Sequence, residues 1–148
     1  MLEGDNEILQ FAISREIEAY RFYDALAMRM SDPEKKKMFE DLAAEELQHK
    51  ADLELELMKT GEVVNVINKD NFETGEYHIE GDVEFDMEYK DMLQLAIEKE
   101  SAAFRLYAGL SAQVQDEASI ETLLRLAEEE VKHKIRFEFE YEKLLKQS

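Results

Sequence analysis

A helix-length stripe with a glutamate at its centre, followed by a second stripe carrying Glu-x-x-His, occurs twice in this chain at a constant offset of 84 residues. Glu46-Leu47-Gln48-His49 has its counterpart in Glu130-Val131-Lys132-His133, and Glu16 has its own in Glu100. The neighbours keep the same register: Tyr23 maps to Tyr107, Asp32 to Asp116, and the segment 41–50 to 125–134. Side chains three apart on a helix share a face one turn apart, so each Glu-x-x-His aims a carboxylate and an imidazole at one point. One such pair is commonly a solvated surface pair. Two of only three histidines at matching places in a repeat is a stronger constraint, because it demands two like halves with polar groups turned inward.

Five glycines and a single proline, with helix formers nearly everywhere, mark the chain as mostly helical. A first helix is expected from Asp5, whose side chain can cap it, to about Met30. Leu9, Ile13, Glu16, Tyr20, Tyr23, Ala27 and Met30 form its inward stripe. Ser31-Asp32-Pro33-Glu34 reads as a tight turn with Asp32 as cap and Pro33 in the first helical position. The second helix should reach about Lys59, with Gly61 past its end and the stripe Phe39, Leu42, Glu46, His49, Leu53. Asp86 is the expected cap of a third helix bearing Leu93, Ile97, Glu100, Phe104, Tyr107 and Val114. Asp116 begins a fourth, running to about Lys146 with Leu123, Leu126, Glu130, His133 and Phe137 on its stripe. The alternation from Phe137 to Tyr141 has a strand period, but its helical context prevails.

The interval from about 61 to 85 breaks the helical pattern with the β-branched run 63–67 and glycines at 75 and 81. Roughly 24 residues at ~3.3 Å each outreach the ~40 Å of a 26-residue helix, so the interval can cross a bundle end to end. The expectation is a single domain over 1–148, with halves of about 5–60 and 86–146. A chain of 148 residues can bury a core without covalent staples. It has no cysteine, which excludes disulfides, thiolate metal sites and thiol nucleophiles. The acidic N-terminus lacks the features of a secretory signal and no apolar run could span a bilayer, so a soluble, cytoplasmic protein is expected. A net charge of -18 repels nucleic acid and anionic membrane and attracts small cations.

Four glutamates on inward stripes cannot all stay ionised in a dry core, because desolvating each costs several kcal/mol and like charges add to that. A cationic partner is required. Four carboxylates and two imidazoles match the ligand set of a dinuclear carboxylate site, and oxygen-rich ligation with one imidazole per metal suits iron or manganese. Two divalent ions would neutralise four carboxylates. The expected ligands are Glu16, Glu46 and His49 on one metal and Glu100, Glu130 and His133 on the other, with Glu46 and Glu130 bridging.

The pattern Glu16-x-x-Ala19-x-x-x-Tyr23, Glu46-x-x-His49, Glu100-x-x-Ala103-x-x-x-Tyr107, Glu130-x-x-His133 resembles the rubrerythrin branch of the ferritin-like diiron proteins over nearly the whole chain. The resemblance implies an all-α, antiparallel four-helix bundle with a long crossover between helices 2 and 3. It also implies a homodimer and two iron ions per chain, with manganese or a mixed pair as the alternative metal. The implied activity is reduction of hydrogen peroxide or dioxygen. Tyr23 and Tyr107 are then expected to hydrogen-bond the metal-bound carboxylates and hold them in place. Two features depart from full-length rubrerythrins. Lacking cysteine, the chain cannot carry a rubredoxin domain, so its electron donor must be a separate protein or small molecule. The extra carboxylate that rubrerythrins place near the third-helix ligand has no counterpart at Ile97 or Ala103, which brings the site closer to a symmetric ferroxidase or oxidase centre.

The other candidates have plainer readings. Glu18, Glu45, Glu98, Glu128 and Glu129 read as a solvated face. His78 falls in the crossover, Tyr20 and Phe104 read as core fillers, and the seven methionines as core. Three functional readings follow: a peroxide- or dioxygen-reducing diiron oxidoreductase, a ferroxidase or iron-handling protein, and a bundle whose metal is only structural.

Overall fold

The computed structural model describes residues 4–59 and 88–147, so the crossover, Gly61, His78 and Asp86 lie outside the described residues. The chain divides into two compact units, residues 1–84 and 85–148. In the first, helix α1 (Asp5–Met28) packs on helix α2 (Pro33–Lys59). In the second, helix α3 (Tyr89–Ser111) packs on helix α4 (Glu117–Lys146). Each unit is an αα-hairpin closed by a short connection, 29–32 in one and 112–116 in the other. No strand occurs among the described residues, and Phe137 to Tyr141 is helical. None of the described helices is long and apolar enough to cross a membrane.

The turns show why the helices begin where they do. Asp32 Oδ1 accepts from the backbone N–H of Glu34 at 2.8 Å, and Pro33 follows as the first helical residue, where its missing N–H costs nothing. Asp116 Oδ2 accepts from both the N–H and the hydroxyl of Ser119, at 3.0 and 2.9 Å. The repeated aspartates thus do the same work. The expected cap at Asp5 is not formed: Gly4 occupies the N-cap of α1 without a side-chain bond, and Asp5 is the first helical residue, placed to favour the positive end of the helix dipole. Helix α3 starts at Tyr89 with Glu88 at its N-cap, likewise without a side-chain bond. Helix α1 ends two residues before the expected Met30, with the N–H groups of Arg29 and Met30 turned back onto Leu26 and Ala27 at 3.1 Å.

The inward stripes bury Leu9, Ile13, Glu16, Tyr23 and Ala27 on α1, and Phe39, Leu42, Glu46, His49 and Leu53 on α2. On α3 they bury Leu93, Glu100 and Tyr107, and on α4 Leu123, Leu126, Glu130, His133 and Phe137. Each fully buried leucine or phenylalanine contributes about 1.5–3 kcal/mol. In the first unit Tyr23 stacks on Phe39 with centroids 6.4 Å apart and meets the edge of Phe22 at 5.1 Å. The matching positions in the second unit, 106 and 123, are leucines, so the sequence does not repeat that aromatic trio.

Some stripe residues are not core. Phe104 is 41% exposed, against the expectation of a core filler, and Tyr20, Met30 and Ile97 are only half-buried. Met38 and Met92 are buried, whereas Met28 and Met58 lie largely in solvent. Helical period gives a side chain its direction; what covers that direction is set by the neighbouring element.

Candidate metal centre

In the first unit, Glu16 rises from the middle of α1 and Glu46 and His49 from the middle of α2, all three buried. His49 Nδ1 stands 3.5 Å from Glu16 Oε2 and 3.3 Å from Glu46 Oε1. In the second unit, Glu100 on α3 meets Glu130 and His133 on α4, again all buried. His133 Nδ1 stands 3.3 Å from Glu100 Oε2 and 3.4 Å from Glu130 Oε1. The two triads are the same construction made twice. In each, the i,i+3 pair on one helix is completed by a carboxylate from the helix packed against it.

These separations are informative. Two donors held ~2.1 Å from one ion and subtending 90–109° stand ~3.0–3.4 Å apart. The observed 3.3–3.5 Å runs from the upper end of that interval to just beyond it, longer than the ~2.7–2.9 Å of a strong charge-assisted hydrogen bond. Within each triad the donor atoms all lie within 4.8 Å of one another. Neutral imidazole nitrogen and carboxylate oxygen are the donors that iron and manganese take. The buried Glu and His groups are therefore compatible with a metal site.

Electrostatics point the same way. Burial alone pulls the His133 imidazole down from its ordinary 6.5, but hydrogen-bonding and Coulombic attraction from Glu100 and Glu130 outweigh it, and the group is pushed up to about 10. A cation is thus strongly favoured between these carboxylates, and in the metal-free chain the proton on His133 supplies part of it. Metal binding would displace that proton.

Tyr23 and Tyr107 are almost wholly buried on the same helices as Glu16 and Glu100, seven residues or about two turns further along. Glu18, Glu45, Glu98 and Glu128 are exposed and Glu129 is half-buried, in line with a solvated face. One buried carboxylate was not anticipated. Glu56, near the end of α2, is 6% exposed and accepts from Lys59 Nζ at 2.9 and 3.1 Å. The repeat carries its equivalent in Glu140 and Lys143, 3.9 Å apart near the end of α4. A lysine in the last helical turn also opposes the negative end of the helix dipole, so this pair secures a helix end. The signal available in the sequence was the recurrence of Glu-x-x-Lys at the 84-residue offset.

Long helices with inward Glu and Glu-x-x-His define the class: a ferritin-like four-helix bundle with buried Glu and His groups compatible with a metal site. A solved structure of a hypothetical protein from Pyrococcus furiosus is similar, with a TM-score of 0.72 and 27% identity over 97% of this chain and 91% of that one. The rubrerythrin family model matches residues 7–89, more than half of the 148, and the chain belongs to the rubrerythrin family. No curated protein matches it.

Proposed function

We propose that this protein is a non-haem diiron oxidoreductase that reduces hydrogen peroxide or dioxygen. The observation that carries the reading is the pair of buried Glu/Glu/His triads at metal-donor spacing, one in each half of the chain. Glu16, Glu46 and His49 would hold one ion and Glu100, Glu130 and His133 the other. That both would serve one dinuclear centre rests on the repeat and on the family. A bound diferrous pair would supply, on passing to diferric, the two electrons that with two protons convert one hydrogen peroxide to two waters.

The chain's own residues do the remaining work. Buried carboxylates neutralise the ions and buried imidazoles fix their position. The surrounding leucines exclude bulk water, which strengthens every charge interaction at the site. The phenols of Tyr23 and Tyr107 would hydrogen-bond the ligand carboxylates and limit their movement. Reducing equivalents come from a separate donor, and the working unit is a homodimer in the cytoplasm. The test is anaerobic loading with ferrous ion followed by rapid mixing with each oxidant. About two tightly held irons per chain, oxidised faster by peroxide than by dioxygen and retained through repeated cycles, is the expected result. Rates equal to those of free ferrous ion would refute it.

A ferroxidase or iron-handling role is the second reading, favoured by two features. Ile97 and Ala103, on either side of Glu100, offer no further carboxylate, and the net charge of -18 gathers cations. Continued oxidation and uptake beyond two irons per chain would select this reading over the first.

A further inference from the structure

The two halves repeat the ligands but not their surroundings. Around α3, Ile97, Phe104 and Ser101 lie on one side of Glu100, at about 60°, 40° and 100° from it around the helix axis. The equivalent flank of Glu16 on α1 consists of Ile13, Tyr20 and Ile17. Ile13 and Ile17 are buried and Tyr20 is half-buried, whereas Ile97 and Ser101 are half-buried and Phe104 is 41% exposed. At position 101 a hydroxyl replaces the whole isoleucine side chain, so the second flank is smaller and more polar as well as less covered.

The ligands register the same difference. The side chains of Glu16 and Glu46 have no solvent exposure and that of His49 has 4%, while Glu100, Glu130 and His133 have 3%, 1% and 8%. All six groups are buried, and the differences of one to four percentage points run in the same direction as the difference between the flanks. A hydrated cation or a peroxide molecule approaching the first triad along this flank meets two buried isoleucines and a half-buried tyrosine. Approaching the second, it meets a serine hydroxyl and one aromatic ring already partly in water.

We propose that the α3 flank formed by Ile97, Ser101 and Phe104 is the entrance to the second triad. The second triad then exchanges small cations and oxidants with solvent faster than the first, with Phe104 as the restricting side chain. The proposal rests on the metal-binding reading above.

The experiment uses the full metal-free chain and cobalt(II), whose uptake is followed by its visible absorption in a stopped-flow instrument, without turnover. Two phases are expected for the native protein. Ser101→Ile with Phe104→Trp, which closes the flank, should slow the fast phase by about fivefold, equivalent to ~1 kcal/mol in barrier height, and leave the final amplitude unchanged. Phe104→Ala should accelerate the same phase, and Tyr20→Trp on α1 should alter neither. Opposed effects at position 104 with constant stoichiometry support the entrance. Unchanged rates in both Phe104 variants overturn it, as does a change in oligomeric state without a change in rate, which would make Phe104 a contact between copies of the chain. If the native chain takes up no cobalt, the metal-binding reading itself fails, a result distinct from uptake that ignores the flank.

Discussion

Replacing Glu46 by leucine should raise the stability of the metal-free protein while removing much of its response to metal. Glu46 is fully buried and its Oε1 stands 3.3 Å from His49 Nδ1, with Glu16 Oε2 on the same nitrogen at 3.5 Å. Without metal, two carboxylates share one imidazole, so the triad holds an excess of buried negative charge even when the histidine is protonated. Leucine fills similar volume and leaves a one-to-one Glu16–His49 pair, so no buried charge is stranded. Exchanging a buried ionic group for a packed apolar one commonly stabilises by about 1–4 kcal/mol. At roughly 3–4 °C per kcal/mol for a chain of this size, the metal-free variant should melt about 3–16 °C higher than the native protein. A cation at a hundredfold its dissociation constant adds ~2.7 kcal/mol to the native protein, or ~8–11 °C. The variant should lose at least half of that shift. Thermal unfolding followed by circular dichroism, with and without cobalt(II), measures all four states. A metal-free variant less stable than native, with an undiminished metal shift, would show that Glu46 serves structure and would refute the metal-centre reasoning.

The His133 imidazole, pushed up to about 10, stabilises the metal-free fold fully below its unfolded value near 6.5, and this contribution is lost as pH rises through 10. Metal loading between pH 7 and 9 should therefore release a proton from His133, detectable by calorimetry in buffers of different ionisation enthalpy, and His133→Ala should abolish that release. Asp116→Ala removes the bonds to Ser119 and should cost about 0.5–2 kcal/mol by chemical denaturation, whereas Asp5→Ala, at a residue that is not the N-cap, should cost less than ~0.5 kcal/mol. Phe39→Ala deletes the ring stacked on Tyr23 and should destabilise by about 3–5 kcal/mol, while Phe39→Leu, which copies the second half, should cost under ~1.5 kcal/mol.

The clustering of the buried Glu and His groups was legible because its information is local. Glu46–His49 and Glu130–His133 sit three apart on helices, and helical geometry alone brings such side chains together. Glu16 and Glu100 could be paired with them because each lies mid-helix in a stripe whose phase is plain, and the 84-residue repeat removes the ambiguity of a single occurrence. The aspartate caps at 32 and 116 were readable for the same reason, since a cap is a contact between near neighbours. Asp5 misled because a capping side chain has an equally stable place inside the first turn, where the helix dipole favours it.

By itself, then, the sequence determined the helices, the phase of their inward stripes, the pairing of carboxylate with imidazole and the chemistry those donors can hold. Only the tertiary structure decided how far each side chain is covered. It left Phe104 in solvent while burying Tyr23 and Tyr107, put Glu56 inside against Lys59, and set the donor atoms 3.3–3.5 Å apart. The reason is physical. Periodicity specifies the direction in which a side chain leaves its own helix, whereas burial and donor spacing depend on the element packed against it.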